Sequence, residues 1–304
     1  MYMLIVLGNS FLIFTVIVSP KLHTPMYYFL CNLSFIDLCF TSCTIPKFLY
    51  DIFYNTRTIS VTGCLAQMNI SLFLGLTECL LLAVMAYDRY IAICSPLYYT
   101  IIMSWRVCGY ITVIMWSVSL ASSIIPTLIK PLVFCRKNKL NHFACETLVV
   151  LEQACGDLST TKFFMFVQSF FILLLPFIYI VVTYICIISS ILKIRSAQGR
   201  SKSFSTCASH LTVVIMFYGT TMTTYTGQAK LSSNLKYISL SYGVFTPFLN
   251  PLVYSLRNNE VKGAIKNVPG RSYYSKDGKM IVLFVTVKAS FPDILMFSVE
   301  DHHC

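Results

Sequence analysis

The chain has 304 residues, of which 56% are hydrophobic and only 12% charged, with a mean hydropathy of +0.71. A soluble globular domain carries about 25% charged residues, and one this apolar would cover its surface with exposed patches and aggregate, so the composition excludes a soluble domain and points to an integral membrane protein. The formal net charge of +11 comes without a basic face interleaved with stacking aromatics, which argues against nucleic acid as a partner and leaves the lipid bilayer.

A spanning helix needs about 20 mostly apolar residues. Seven segments qualify in chain order, at about residues 2–19, 26–50, 65–93, 107–129, 163–192, 204–228 and 237–256. The first is at the short limit and begins almost at Met1 with no cleavable leader visible, so it is expected to act as its own insertion signal. Polar connectors such as "SPKLHTP", "NTRTISVTG" and "KIRSAQGRSK" separate the spans, with one long connector between the fourth and fifth. No run of short alternating segments suggests barrel strands. The expected fold is therefore an all-α membrane protein, a seven-transmembrane helix bundle occupying residues 1–271, with 272–304 a disordered cytosolic tail. The larger share of the 23 Lys and Arg residues falls on the side that holds the C-terminus, which places that end in the cytosol and the N-terminus outside.

Four of the 13 cysteines, Cys64, Cys135, Cys145 and Cys155, lie at the outer ends of spans or in the long outer connector. Disulfides persist on that side, and four cysteines allow three connectivities. Both N-x-[ST] sites, at Asn32 and Asn69, fall within spans, so neither is expected to carry a glycan.

Polar and ionisable side chains inside a span default to functional candidates because they are expensive there. Asn9 lies in the first span, Asp37 in the second, Glu78 in the third and Asn250 in the seventh. All four can point inward at similar depth. A shared proton between the carboxylates, a bound cation with oxygen ligands, and a hydrogen-bonded packing network each remain open; a proton or ion relay of a transporter is the competing use, and no internal repeat supports it. Pro251 frees a backbone carbonyl that neighbouring polar groups can re-satisfy, and it supplies a kink. At the inner end of the third span, "MAYDRYIAIC" sets Asp88 and Arg89 side by side. Arg89 can snorkel to the cytosolic interface, or Asp88 can hold it in one of two states and release it to a partner.

The tags "GN" at 8–9, "LHTPMYYFLCNLSFIDL" at 22–38, "MAYDRYIAICSPLYYTIIM" at 85–103, "KSFSTCASHLTVV" at 202–214, "FYG" at 217–219 and "PFLNPLVYSLRN" at 247–258 occur in the order and spacing of the olfactory receptors. Over about residues 2–271 the chain resembles that branch of the rhodopsin-like G-protein-coupled receptors. The resemblance implies that Arg89 is the G-protein-facing switch, restrained by Asp88 with Tyr90 beside it, and that Asn250, Pro251 and Tyr254 rearrange on activation. It implies that Asn9, Asp37, Glu78 and Asn250 form a central polar site able to hold sodium, with no other cofactor. It implies a disulfide from Cys64 to Cys145, with Cys155 the alternative partner, a second one from Cys135 to Cys155, and a short amphipathic helix at 258–266 on the cytosolic side. The implied partners are a small-molecule odorant and a heterotrimeric G protein of the stimulatory, cyclic-AMP-raising kind. The implied place is the plasma membrane, and the protein is not an enzyme.

Counted from Cys64, one face of the third span carries Asn69, Ser71, Leu72, Gly75, Leu76 and Cys79 toward the outer half of the bundle. The fifth span offers Phe166, Ser169 and Phe170, and the sixth Tyr218, Thr221, Met222 and Tyr225. These side chains are small, apolar or hydroxyl-bearing and none is charged, which suits a compact, largely neutral organic ligand held by shape and one or two hydrogen bonds. The sequence departs from the family at Ser203 and Ala144, where Ala and Phe are usual, in the missing outer segment ahead of the first span, and after Arg271. The departures at the two ends raise the alternative of a truncated, non-signalling product.

Overall fold

The computed structural model describes residues 1–55, 58–134, 140, 142–226, 232–257, 261 and 263. Seven long helices make up most of it: α1 (Tyr2–Val18), α2 (Pro25–Tyr54), α3 (Val61–Cys94), α4 (Trp105–Ile129), α5 (Ser159–Leu192), α6 (Ala197–Thr226) and α7 (Ser232–Arg257). Helices α2 to α5 are long and apolar enough to cross a membrane by length and composition, and α1 is a shorter apolar helix. The tail at 272–304 and most of 258–266 lie outside the described residues, although Val261 is helical and fully buried against the bundle.

Local chemistry sets the helix ends. Ser60 caps α3 by accepting from the Gly63 backbone N–H at 3.1 Å, satisfying one of the orphan donors of the first turn. Asn55 closes α2 in the left-handed region at φ 51°, a conformation Asn tolerates better than most residues. Lys47 pairs with Asp51 one turn on and donates to the Thr58 carbonyl at 2.7 Å, holding the α2–α3 connection against α2. Within the helices, Thr15, Thr77 and Thr183 donate back to the carbonyl four residues earlier, which satisfies hydroxyls where no water is at hand.

Helix α3 is the axis of the bundle and packs against α2, α4, α5 and α6, while α1, α2 and α7 close the other side. The core includes Leu30, Leu33, Leu81, Leu82, Ile187, Val213 and Phe217, all fully buried or nearly so. Outward-facing Val113, Ile114, Val182 and Ile185 remain exposed, as a face turned to lipid requires. The two Asn residues of the N-x-[ST] sites are engaged inside the bundle: Asn32 Oδ1 accepts from Trp116 Nε1 at 3.3 Å and Asn69 Oδ1 from Thr127 Oγ1 at 3.1 Å.

Two irregularities position the site. Helix α5 is interrupted by a π-turn at Ser169–Leu174, just before Pro176, whose ring cannot donate to the preceding turn. The long connector between α4 and α5 folds over one end of the bundle, the outer end in the expected topology. There, strands β1 (Val133–Phe134) and β2 (Ala154–Cys155) pair antiparallel, and the segment between them carries a short helix, Thr147–Gln153.

Candidate functional site

Three clusters lie along α3, from its outer end to its inner end. The outermost is a cavity of about 140 Å³ beneath the connector. A disulfide from Cys64 to Cys145 fastens the connector to the top of α3. Gln67 adds a second tie: its Oε1 accepts from the Cys145 backbone N–H at 2.9 Å and its Nε2 donates to the Cys43 carbonyl at 3.1 Å. The pairing of Cys64 with Cys155 is thereby excluded; Cys155 is itself disulfide-bonded, and Cys135 lies outside the described residues. At the far end of the connector, Lys130 pairs with Asp157 at 3.1 Å. The Ser159 hydroxyl and backbone N–H, together with Lys130, hold the Asp157 carboxyl well below the ordinary carboxylate range.

Of the expected ligand contacts, Ser71, Leu72, Gly75, Leu76, Cys79, Ser169 and Thr221 line this cavity. Others do not. Phe166 is 70% exposed and Phe170 44% exposed on the outer surface of α5; the inward face is set instead by Gln168, Ser169 and Leu173. Asn69 turns to α4, as noted above. Tyr218 is buried outside the cavity lining, donating to the Cys79 carbonyl at 3.4 Å and packing on Phe177. Met222 packs at the edge of the core, and the Tyr225 side chain lies outside the described residues. Four groups of wall residues were not anticipated: Phe40 and Thr44 from α2, Tyr242 from α7, Phe217 from α6, and Ala144, Glu146, Thr147 and Leu148 from the connector. Glu146 corrects the expectation of a wall without charge; its carboxylate lies 3.7 Å from His142 Nε2.

Midway down, the four polar residues of the spans are buried, with Asn9 at 0%, Asp37 and Asn250 at 1% and Glu78 at 4% exposure. Asn250 Nδ2 donates to Asp37 Oδ2 at 2.9 Å. Tyr242 donates to Glu78 Oε2 at 3.1 Å, and Glu78 and Asp37 lie within electrostatic reach of each other. Asn9 Nδ2 donates to the Pro247 carbonyl at 2.9 Å. That carbonyl is the one Pro251 leaves without its helical donor, because Pro has no N–H to return to the residue four back. Gly8 permits the approach: a Cβ there would meet Pro251 Cγ at 3.3 Å. Glu78 Oε1, Asn9 Oδ1 and Asn250 Oδ1 are buried without a hydrogen-bond partner. Hard oxygen donors of this kind, two of them amide carbonyls beside two carboxylates, fit a small cation.

At the inner end, Asp88 is buried and Arg89 is largely covered. The nearest pair of charged atoms, Arg89 Nη2 and Asp88 Oδ2, is 3.8 Å apart, and Arg89 Nη2 has no hydrogen-bond partner. The other carboxylate oxygen, Asp88 Oδ1, accepts from the Tyr99 hydroxyl at 2.7 Å. Tyr99 stands in the α3–α4 connection, so Asp88 is shared between the connection and Arg89. Tyr90 is half-buried against the core. Tyr254 of α7 is 2% exposed with its hydroxyl unpartnered, and Tyr184 bonds His210 at 2.6 Å across α5 and α6. All three side chains, Tyr254, Tyr184 and His210, feel the Arg89 charge.

A sequence profile described as olfactory receptor matches residues 1–270. Human olfactory receptor 13C9 is 49% identical over 285 residues, covering 91% of this chain and 90% of its own. Human olfactory receptor 13C2 is 46% identical over the same shares, and mouse olfactory receptor 2A7 is 43% identical, covering 88% of this chain and 87% of its own. Among solved structures, the crystal structure of squid rhodopsin superposes with a TM-score of 0.71 at 17% identity, covering 88% of this chain and 77% of that one; at that identity the likeness is one of fold.

Proposed function

Because the chain belongs to the olfactory receptor family, and so is a multi-pass signalling receptor of the plasma membrane rather than an enzyme, we propose that it binds a small, largely neutral organic ligand in the outer cavity and activates a stimulatory heterotrimeric G protein through Arg89. What supports this reading above all is the alignment of the three clusters on one helix. The cavity wall at Ser71 to Cys79, the polar centre at Glu78 and the Asp88–Arg89 pair all belong to α3. A ligand that favours one packing of α3 against its neighbours therefore biases the inner end as well. It need only bind that packing better than the other.

The N-terminus lies outside and the C-terminus in the cytosol on this reading, with the disulfide-tied connector on the oxidising side. Asp37, Glu78, Asn9 and Asn250 would hold a sodium ion, which when bound adds a fixed positive charge that stabilises the carboxylates and the packing around them. In the switch, Asp88 holds Arg89 weakly while sharing itself with Tyr99. Tyr254 moves with α7 about the Pro251 kink, toward or away from the arginine. The test is a cyclic-AMP reporter in cells expressing the surface-labelled chain, challenged with a panel of small volatile compounds. A response lost in Arg89→Ala at equal surface density supports the coupling. A response that Arg89→Ala leaves intact refutes it.

A further inference from the structure

The outer cavity has a neighbour. A smaller chamber of about 40 Å³ lies between α2, α7 and the connector, and the two chambers share Phe40, Thr44, Ala144 and Glu146. Their walls differ in chemistry. Ser71, Gln168, Ser169 and Thr221 belong to the larger chamber alone, whereas the residues that line only the smaller one are mostly apolar, Ile45, Phe48, Phe143, Gly243 and Val244, with His142 the polar side chain among them.

We propose that these form a single bipartite ligand site, in which a polar head group sits in the larger chamber and an unbranched aliphatic tail passes Ala144 into the smaller one. The proposal rests on the odorant-receptor reading above and deepens it by naming the ligand class. The gate is a matter of size. Ala144 lines both chambers and presents only a methyl group where they adjoin. Across the gate, Phe40 packs edge-on against Tyr242 with ring centroids 5.6 Å apart. It also lies against Gly243, where a Cβ would meet Phe40 Cε1 at 3.3 Å. Gly243 thus gives the Phe40 ring room to lie against α7.

The volumes fix the expected ligand length. An apolar cavity of about 150 Å³ holds benzene, and one water-sized centre needs about 10–15 Å³. By those measures the 140 Å³ chamber takes about six to fourteen non-hydrogen atoms. The 40 Å³ chamber adds room for about three more. A chain that uses both chambers favours ligands about three carbons longer than one confined to the first.

The experiment uses straight-chain primary alcohols of five to twelve carbons, with compact cyclic compounds beside them, in a cyclic-AMP reporter on surface-labelled cells. The unmodified chain is compared with Ala144→Phe, which plugs the gate, and Val244→Phe, which fills the smaller chamber from its far side. Ala144→Leu, a smaller plug, is carried along in case the ring prevents folding. The expected result is a chain-length optimum about three carbons shorter in both Phe variants, with the ratio of long-alcohol to short-alcohol response falling at matched surface density and a smaller shift in Ala144→Leu. The same optimum in all four chains overturns the bipartite site while leaving the receptor reading in place. Silence of the surface-expressed chain toward every compound, linear and cyclic, overturns the receptor reading and the bipartite site with it.

Discussion

Replacing Asn9 by Ala removes the hydrogen bond that reaches the Pro247 carbonyl at 2.9 Å, and the consequence depends on Pro251. An orphaned buried backbone carbonyl in a soluble protein costs about 1–3 kcal/mol. Polar contacts inside membrane proteins average about 0.6 kcal/mol and reach about 1.7, because the unfolded chain in the bilayer also finds partners; that lower range applies here. Against it stands the better helix propensity of Ala, up to about 0.7 kcal/mol. The single substitution can therefore come out close to neutral, and its net value decides nothing. A double-mutant cycle does. In a Pro251→Ala background the new Ala N–H can return to the Pro247 carbonyl, so Asn9 is no longer needed there. The expected coupling between Asn9→Ala and Pro251→Ala is about 0.6–1.7 kcal/mol, with Asn9→Ala the more damaging in the chain that keeps the proline. Thermal unfolding in detergent would be followed with a thiol-reactive dye on the buried free cysteines Cys79, Cys108 and Cys207, in sodium-free buffer so that cation binding does not enter. An equal drop in Tm on both backgrounds would refute the reasoning that Asn9 replaces the missing proline donor.

Other outcomes follow from the ties at the two ends of α3. Cys64→Ser opens a covalent link between residues 81 apart, worth about 4–5 kcal/mol by chain entropy, and should sharply reduce surface labelling; undiminished labelling would count against the connector as a fastened roof. Asp157 is held below the ordinary carboxylate range by Ser159 and Lys130. A depressed carboxylate contributes stability above its unfolded value, near 3.9, and loses it as pH falls toward the folded value. The difference in Tm between the chain and Asp157→Asn should therefore stay constant from about pH 5 to 8 and shrink only in stronger acid; a difference that varies across neutral pH would contradict the assignment. Tyr99→Phe removes the 2.7 Å bond to Asp88 and leaves that carboxylate wholly to Arg89. A hydrogen bond to a charged group is worth about 1.5–3 kcal/mol, so basal cyclic AMP should fall by about tenfold or more at matched surface density; a rise would mean that Tyr99 restrains the switch rather than relieving it.

The sequence was most informative where lipid makes polar groups conspicuous. Asn9, Asp37, Glu78 and Asn250 stand out in apolar runs, and the fold buries all four, with Asp37 and Asn250 in direct contact. The carbonyl freed by Pro251 and its re-satisfaction by a polar neighbour could also be read from the chain. The cavity face of α3 was legible because Ser71, Gly75 and Cys79 recur at helical spacing below the outer cysteine. On α5 the same counting found Ser169 but misplaced Phe166 and Phe170, which face outward while Gln168 and Leu173 face in. A helix in lipid keeps apolar side chains on both faces, so hydrophobic period alone does not mark the inside, and the π-turn at Ser169–Leu174 alters the spacing as well. The connector residues Ala144, Glu146, Thr147 and Leu148 reach the cavity only because the disulfide and Gln67 draw that segment over it. Gln67 gave no sign in advance beyond being an amide near the outer end of a span.

The measurement that bears most directly on coupling between the outer cavity and Arg89 is a dose–response series in the cyclic-AMP reporter for the unmodified chain, Gly75→Leu and Arg89→Ala at equal surface density. A Cβ at Gly75 meets nothing within 4 Å, so the leucine side chain can enter the cavity without displacing its own helix. The expected result is a large loss of ligand potency in Gly75→Leu and no ligand response in Arg89→Ala. An unchanged dose–response in Gly75→Leu would place the ligand elsewhere, and a surviving response in Arg89→Ala would contradict the switch.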